Sequence, residues 1–426
     1  MNKDWLTVFE ALKSVYSDGA YSNMATSEAL FHHKGCKESF VRNYAKGVLR
    51  ETIKLDYLID KLAARGIKKV AARPLIILRM GIYAINSLDS IPDHAAVSEA
   101  VNLSKKVAKG SAGFINGVLR TYIRKKDEIA IPDDRPDIKY SMNEALVKLI
   151  TEQHPKEAES ILAALNEPSE TVIRVNTLRT DRSSVIAGLE YEGIKAEASE
   201  ESDNAVIASG SGIIASDLYK AGLISVQSLS SMLAIEALSP QAGDRVLDMC
   251  AAPGGKSAYM AELMGNKGSI IACDIHRHRL GLIEKTMERL GIEIVEPGLF
   301  DAAVHNAEME ESFDCVLADV PCSGLGVMAS KPEIKFRSDP SEYAELTELQ
   351  KKILKNAVSY AKEGGKIEYS TCTLNKDENE RIIEDVVGRS ENGLIRILEM
   401  KTLLPYNCKV GFFYCLMEKN SLNDRQ

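Results

Sequence analysis

The chain has 426 residues, 45% hydrophobic and 27% charged, with a formal net charge of −8. That balance is ordinary for a globular protein, and the length suggests two or three domains. No apolar run reaches the roughly 18 residues a membrane span needs, and the opening MNKDWLTVFE lacks a signal peptide's apolar core, so a cytoplasmic protein without membrane contact is expected.

Residues 1–130 carry 21 Lys+Arg against 13 Asp+Glu, and the remainder 32 against 48. A basic front on an acidic chain fits local contact with a polyanion such as nucleic acid. A solvated surface with a modest excess of eight charges fits equally well. Apolar residues recur here at spacings of three and four, as in Phe40, Val41, Tyr44, Val48 and Leu49, then Ile53, Leu55, Leu58, Ile59 and Leu62, which predicts an all-helical first domain. IPDDRPDIKY (131–140) has two prolines and several charges and reads as a linker.

Residues 141–225 read as a small α/β module. SMNEALVKLITEQHPKEAESILAALNE is helical with a break near Pro155, TVIRVNTLR alternates like a strand, and DRSSVIAGLEYEG resembles a helix with a glycine stop. From about 226 to 426 strands and helices alternate. Strands are expected at 245–250, 269–275, 292–298, 313–321 and 364–372. Helices are expected at 257–264, 277–290, 341–361 and 378–390, and a closing hairpin near 394–400 and 411–418. This pattern predicts a parallel sheet with helices on both faces, which binds ligands beyond the carboxyl ends of its strands.

Two constellations fall at those ends. In VLDMCAAPGGKSAYMAELM a strand ends at Asp248, a loop of small residues follows, and a helix begins near Ser257. Small residues let the backbone approach a ligand, and a helix amino terminus favours an anion. The loop is neither G-x-G-x-x-G nor G-x-x-x-x-G-K-[ST], which argues against an ordinary dinucleotide or P-loop site. The next strand ends at Asp274, placed to accept both hydroxyls of a ribose. An adenosine ligand with a small anionic tail fits, as S-adenosylmethionine does; a tight turn with an ordinary strand-end carboxylate is the alternative.

The second constellation is ADVPCSGLGVMASKPEIKFR, where Asp319, Pro321 and Cys322 follow the fourth strand and Lys331, Lys335 and Arg337 supply charge suited to phosphates. Singly, Cys322 reads as structural and the basic residues as a solvated face. Cys372, ending the strand at YSTC, also reads alone as a core cysteine. Together the two thiols and Asp319 fall on one rim of a parallel sheet, beside the cofactor loop. The eight cysteines contain no C-x-x-C pair, so neither a metal site nor a disulfide framework is expected.

CAAPGGK (250–256), D-x-P-C-S-G (319–324), KPEIK (331–335), YSTCT (369–373) and ENE (378–380), with RVNTLR (174–179) and VQSLSSMLA (226–234), resemble the RNA (cytosine-5) methyltransferases of the RsmB/Sun type, also called Fmu. RNYAKGVLR (42–50), ILRMGIYAI (77–85), AAVSEAVNLSKK (95–106) and FINGVLR (114–120) resemble the NusB-like RNA-binding module. The resemblance covers nearly the whole chain. It implies a multidomain protein, with an all-α NusB-like domain (1–130), a small α/β RNA-binding module (141–225) and a Rossmann-like methyltransferase domain (226–426).

It further implies methylation of C5 of a cytosine in 16S ribosomal RNA, position 967 in the family, by a monomeric enzyme using S-adenosylmethionine. Transfer RNA, 23S ribosomal RNA and a non-catalytic assembly role are the alternatives. By the resemblance Cys372 is the nucleophile adding to C6, Cys322 serves product release, Asp319 holds the cytosine edge and Lys256 orients Asp319. Cys250, Ala251, Ala252, Pro253, Gly254, Gly255, Lys256, Asp274, Arg279, Asp301 and Asp319 line the cofactor site, with Asp301 facing the adenine amino group. Val320, Ser228, Val410 and Glu368 depart from the family pattern, Glu368 by charging a normally apolar strand.

Overall fold

The helical periodicity of the front segment becomes the helices Lys3–Asp18, Ser22–His32, Glu38–Arg50, Thr52–Leu62, Ala72–Ser87, Asp93–Val107 and Ala112–Lys125. The computed structural model describes residues 2–167, 170–210, 212–388, 394–408 and 410–421. Asn2 caps the first helix by accepting the Asp4 N–H, and Gly19 ends it at φ 75°, a left-handed conformation that favours glycine. Trp5, Phe9, Leu12, Tyr44, Val48 and Ile77 fill the core between the helices. Arg79, buried there, meets Asp56 through two hydrogen bonds of 2.7 Å, which satisfies its planar fork.

These helices make up most of a first compact unit. It comprises Met1–Asn166 together with Met328–Pro340. The expected linker at 131–140 carries a short helix, Pro136–Lys139, with Asp137 and Ile138 buried. The unit also takes in the helices Glu144–Gln153 and Ala158–Ala164.

The segment 328–340 overturns the expectation that its cations face phosphates. Lys335 is 0% exposed, and its Nζ donates to Asn166 Oδ1 and, at 3.5 Å, to the Tyr140 carbonyl. Arg337 donates to the carbonyls of Gly19 and Ala20, each at 3.0 Å, and of Val15. Glu333 accepts the Ser22 N–H at the start of the second helix, at 3.0 Å. Burial pushes the Lys335 ammonium down to about 7, because an ion with little water around it is costly. Lys331 alone of the three is exposed.

The second unit, Glu167–Val327 with Ser341–Gln426, holds two sheets. In the smaller, β1 (Thr171–Val175), β2 (Lys195–Ala198), β3 (Ala205–Ser209) and β4 (Ile224–Val226) pair antiparallel in the order β2-β3-β1-β4, backed by the helix Arg182–Tyr191. In the larger, β5 (Arg245–Asp248), β6 (Ser269–Asp274), β7 (Val295–Leu299), β8 (Phe313–Asp319) and β9 (Ala361–Thr371) run parallel. The hairpin of β10 (Ile395–Leu403) and β11 (Phe412–Lys419) adds antiparallel to β9, giving the order β10-β11-β9-β8-β5-β6-β7.

Alternate residues of each central strand face opposite layers. Val246 and Leu317 pack toward Leu229–Leu238, Gly255–Leu263 and Arg277–Leu290, whereas Leu247 and Val316 pack toward Tyr343–Tyr360 and Glu380–Val386. That is the period-two burial of a sheet covered on both faces. The expected helix 378–390 ends at Val386, and positions 389 and 390 lie outside the described residues. The chain order reverses between β5 and β8, so the sheet opens a ligand crevice between the ends at Asp248 and Asp319. Among the described residues no helix is long and apolar enough to cross a membrane.

Candidate active site

The cofactor loop is built by close packing. Ala251 N–H bonds the Cys273 carbonyl at 2.7 Å, and Gly254 N–H turns back to the Ala251 carbonyl at 2.7 Å. Gly254 has φ 98°, and a Cβ there would lie 3.0 Å from Met287 Cε, so the turn calls for glycine. A Cβ at Gly255 would meet nothing within 4 Å, which leaves open space at the start of the helix. From the small sheet, Arg174 supports the loop: its Nη1 donates to the Gly255 carbonyl at 2.6 Å and to Gln227 Oε1, and its Nη2 pairs with Glu262 at 2.8 Å. Arg174 and Glu262 are both fully buried.

Asp248 is buried; Oδ2 accepts the Ser257 hydroxyl at 2.6 Å while Oδ1 has no hydrogen-bond partner. Burial raises its carboxyl to about 6, with the Ser257 bond opposing. Asp274, at the end of β6, accepts the His276 N–H at 2.8 Å and lies 3.7 Å from Arg279 Nη1. Asp301, beyond β7, accepts the Ala303 N–H at 2.9 Å. A helix start left open by glycine and a strand-end carboxylate fit an adenosine ligand with a small anionic tail.

On the other side of the crevice the register pairs Asp319 of β8 with Ser370 of β9, so the residues after them share one rim. Lys256 Nζ is 2.7 Å from Asp319 Oδ2, and Ser370 donates to Asp319 Oδ1 at 3.1 Å. Cys322 and Cys372, fifty positions apart, bring their sulfurs to 3.2 Å. Burial opposes the Lys256 ammonium, but Asp319 outweighs it and the group ends above its ordinary value, with Cys372 adding to the same attraction. The bond to Cys372 and then burial hold the Cys322 thiol well above its usual range, and the Glu378 charge adds to this. The Lys256 charge thus attracts negative charge at Cys372, and either sulfur of the Cys322–Cys372 contact can be the donor. Burial also lifts Cys250 well above its ordinary range, making it a poor nucleophile.

The ENE motif and the departures at Glu368, Ser228 and Val320 are visible in the sequence, but the contacts these residues make are not. Glu378, 0% exposed, accepts from Ser323, Gln350 and Asn375. Asn379 accepts the Thr371 hydroxyl at 2.6 Å and donates to the Thr373 carbonyl at 3.0 Å, which fixes the turn that carries Cys372. Glu368 lies two residues before Ser370 on β9, 0% exposed, with neither oxygen hydrogen-bonded; burial holds its carboxyl well above the ordinary range. Ser228 caps the helix Leu229–Leu238 by accepting the Ser231 N–H at 3.4 Å, a role Ser and Asp share. Val320 is buried in the core.

A doubly wound sheet of this order, with a loop of this kind at its switch point, defines a Rossmann-like methyltransferase. Family models match along the chain: 16S rRNA methyltransferase RsmB/F over residues 235–418, the NusB family over 5–124, and the RsmF/B-like ferredoxin-like domain over 143–212. "Probable ribosomal RNA small subunit methyltransferase B" of Bacillus subtilis is 34% identical over 96% of this chain and 97% of its own length. Ribosomal RNA small subunit methyltransferase B of Escherichia coli O1:K1 is 32% identical over 81% and 80%. The crystal structure of PH0851 superposes with a TM-score of 0.84 at 25% identity, over 98% of both chains. The chain belongs to the RsmB/F family of methyltransferases, with a NusB-type helical domain and a ferredoxin-like module ahead of the catalytic sheet.

Proposed function

We propose that the protein methylates C5 of a cytosine in 16S ribosomal RNA, the position-967 cytosine of its family, through a covalent bond between Cys372 and C6. The observation that carries this reading is the pair of thiols 3.2 Å apart beside the Lys256–Asp319 pair. The small-subunit RNA follows from the relatives' names and the NusB-type domain.

S-adenosylmethionine, held by Cys250 to Lys256, Asp274, Arg279 and Asp301, supplies an electrophilic methyl group when bound. The target base leaves its stack to reach the crevice. The Cys372 thiolate donates an electron pair to C6, and the C5–C6 π pair moves onto C5, making it the nucleophile. Asp319, oriented by Lys256 and Ser370, accepts from the amino edge of the base, and the Lys256 ammonium offsets the negative charge that develops on the ring. After methylation water takes the C5 proton, and the Cys322 thiol assists elimination by offering its proton to the departing Cys372 sulfur. The C–H pair re-forms the C5–C6 double bond, and the S–C6 pair returns to Cys372.

Incubating the protein with labelled cofactor and unmodified small-subunit RNA tests this. Cys372→Ala abolishes transfer, and Cys322→Ala accumulates a protein–RNA adduct stable to denaturation. Transfer by the first variant or absence of adduct in the second overturns the respective role, and bisulfite sequencing of the product RNA checks the nucleotide.

A further inference from the structure

Glu378 joins the two thiol-bearing turns through the residue that follows each cysteine. Its Oε2 accepts the Ser323 N–H at 2.8 Å and Gln350 Nε2 at 3.0 Å. Its Oε1 accepts the Ser323 hydroxyl at 2.5 Å, Asn375 Nδ2 at 3.0 Å and the Thr373 hydroxyl at 3.5 Å. Ser323 and Thr373 hydroxyls also meet each other at 2.7 Å. Gln350 extends the network by donating to the Pro321 carbonyl at 2.9 Å, just ahead of Cys322. A carboxylate buried among this many donors is a rigid joint, because each donor left without its acceptor carries a desolvation cost.

The two turns depend on this joint unequally. Cys372 follows directly on β9, where Thr371 pairs with Phe413 of β11 and Asn379 clasps Thr371 and Thr373. Around Cys322, by contrast, the anchors on Pro321 and Ser323 run through Gln350 and Glu378. Loosening Glu378 therefore moves the releasing sulfur more than the attacking one.

We propose that Glu378 is a positioning residue for product release, holding Cys322 against the Cys372 sulfur so that elimination follows methyl transfer. The inference rests on the thiol roles proposed above. Glu378→Gln keeps the volume but turns one acceptor into a donor facing the Ser323 or Asn375 donors. In this variant of the full chain, the first turnover of methyl transfer stays within about threefold of the parent, while steady-state turnover falls roughly tenfold or more. The covalent RNA adduct then accumulates on denaturing gels, as in Cys322→Ala.

A merely structural role lowers both phases together and traps no adduct. If Cys322→Ala accumulates adduct and Glu378→Gln does not, the positioning role is wrong. If neither does, the thiol roles themselves fail and this inference falls with them. Should Glu378→Gln not fold, as read from its melting curve, Gln350→Met gives the same readout: slowed release with adduct supports the role, and parental release overturns it.

Discussion

The Lys256 ammonium lies 2.7 Å from Asp319 Oδ2, in a position where its charge also acts on Cys372. One cation thus serves the group proposed to bind the base and the group proposed to attack it. Lys256→Met leaves both without it. Single-turnover adduct formation at neutral pH falls on the order of 100-fold. The loss shrinks as pH rises, because hydroxide then supplies the thiolate that Lys256 no longer favours. Quenched time courses across pH check this; a pH-independent loss denies Lys256 its part in ionising Cys372.

Glu368 is a carboxyl group without a hydrogen-bond partner inside the sheet. Its folded-state value is raised, so the unfolded chain releases this proton first. Stability from this residue therefore falls as pH climbs above the ordinary carboxylate range. Glu368→Leu removes both the slope and the buried polar group, and stabilises the second unit by about 1–3 kcal/mol. Thermal melts followed by circular dichroism at mildly acidic and alkaline pH show whether the variant gains more at the alkaline end.

Arg174 and Glu262 form a fully buried ion pair beneath the cofactor loop. Arg174→Met strands the Glu262 charge and removes the donor on the Gly255 carbonyl, a loss of about 3–5 kcal/mol. Arg174→Met with Glu262→Leu recovers most of that stability, since no lone charge remains. Calorimetric binding of the cofactor stays weakened in the double variant, because the loop still lacks its support.

Lys335 is the corresponding liability of the first unit. Its folded value of about 7, against an ordinary 10.5, means that the unfolded chain holds the extra proton between those limits. Stability from this residue rises with pH across that window and is lowest below about 7. Lys335→Met flattens the dependence. The chain has one tryptophan, and Trp5 is 1% exposed in the core of this unit, so its fluorescence follows the transition directly. Equal pH slopes in parent and variant refute the assignment.

Legibility in the sequence tracked the distance over which each feature is determined. Strands β5, β6 and β8 were readable because their apolar runs end at punctuating residues: Asp248 before small residues, Asp274, and Asp319 before Pro321. The convergence of Cys322 and Cys372 on one rim followed from strand order alone. The hydrogen bonds that join Glu378 to Ser323 and Gln350, and Ser370 to Asp319, were not readable, because they link common residues 28 to 55 positions apart. Lys335 and Arg337 misled for a related reason: a basic letter specifies charge, and burial decides whether that charge meets phosphate or a backbone carbonyl. In the small sheet, Lys195–Ala198 lacks β-branched residues and forms a strand only through its pairing with Ala205–Ser209.

The excursion at Met328–Pro340 gives the polypeptide three backbone crossings between its two units, after Asn166, Val327 and Pro340. Proteolysis at any one crossing leaves the halves tethered by the other two. Cloning the catalytic half as one uninterrupted stretch carries along the thirteen residues that complete the other half's core, now deprived of their surroundings. A dissection has to replace that stretch with a bridge from Val327 to Ser341. The helical half, in turn, is whole only when Glu333, Lys335 and Arg337 are supplied to it.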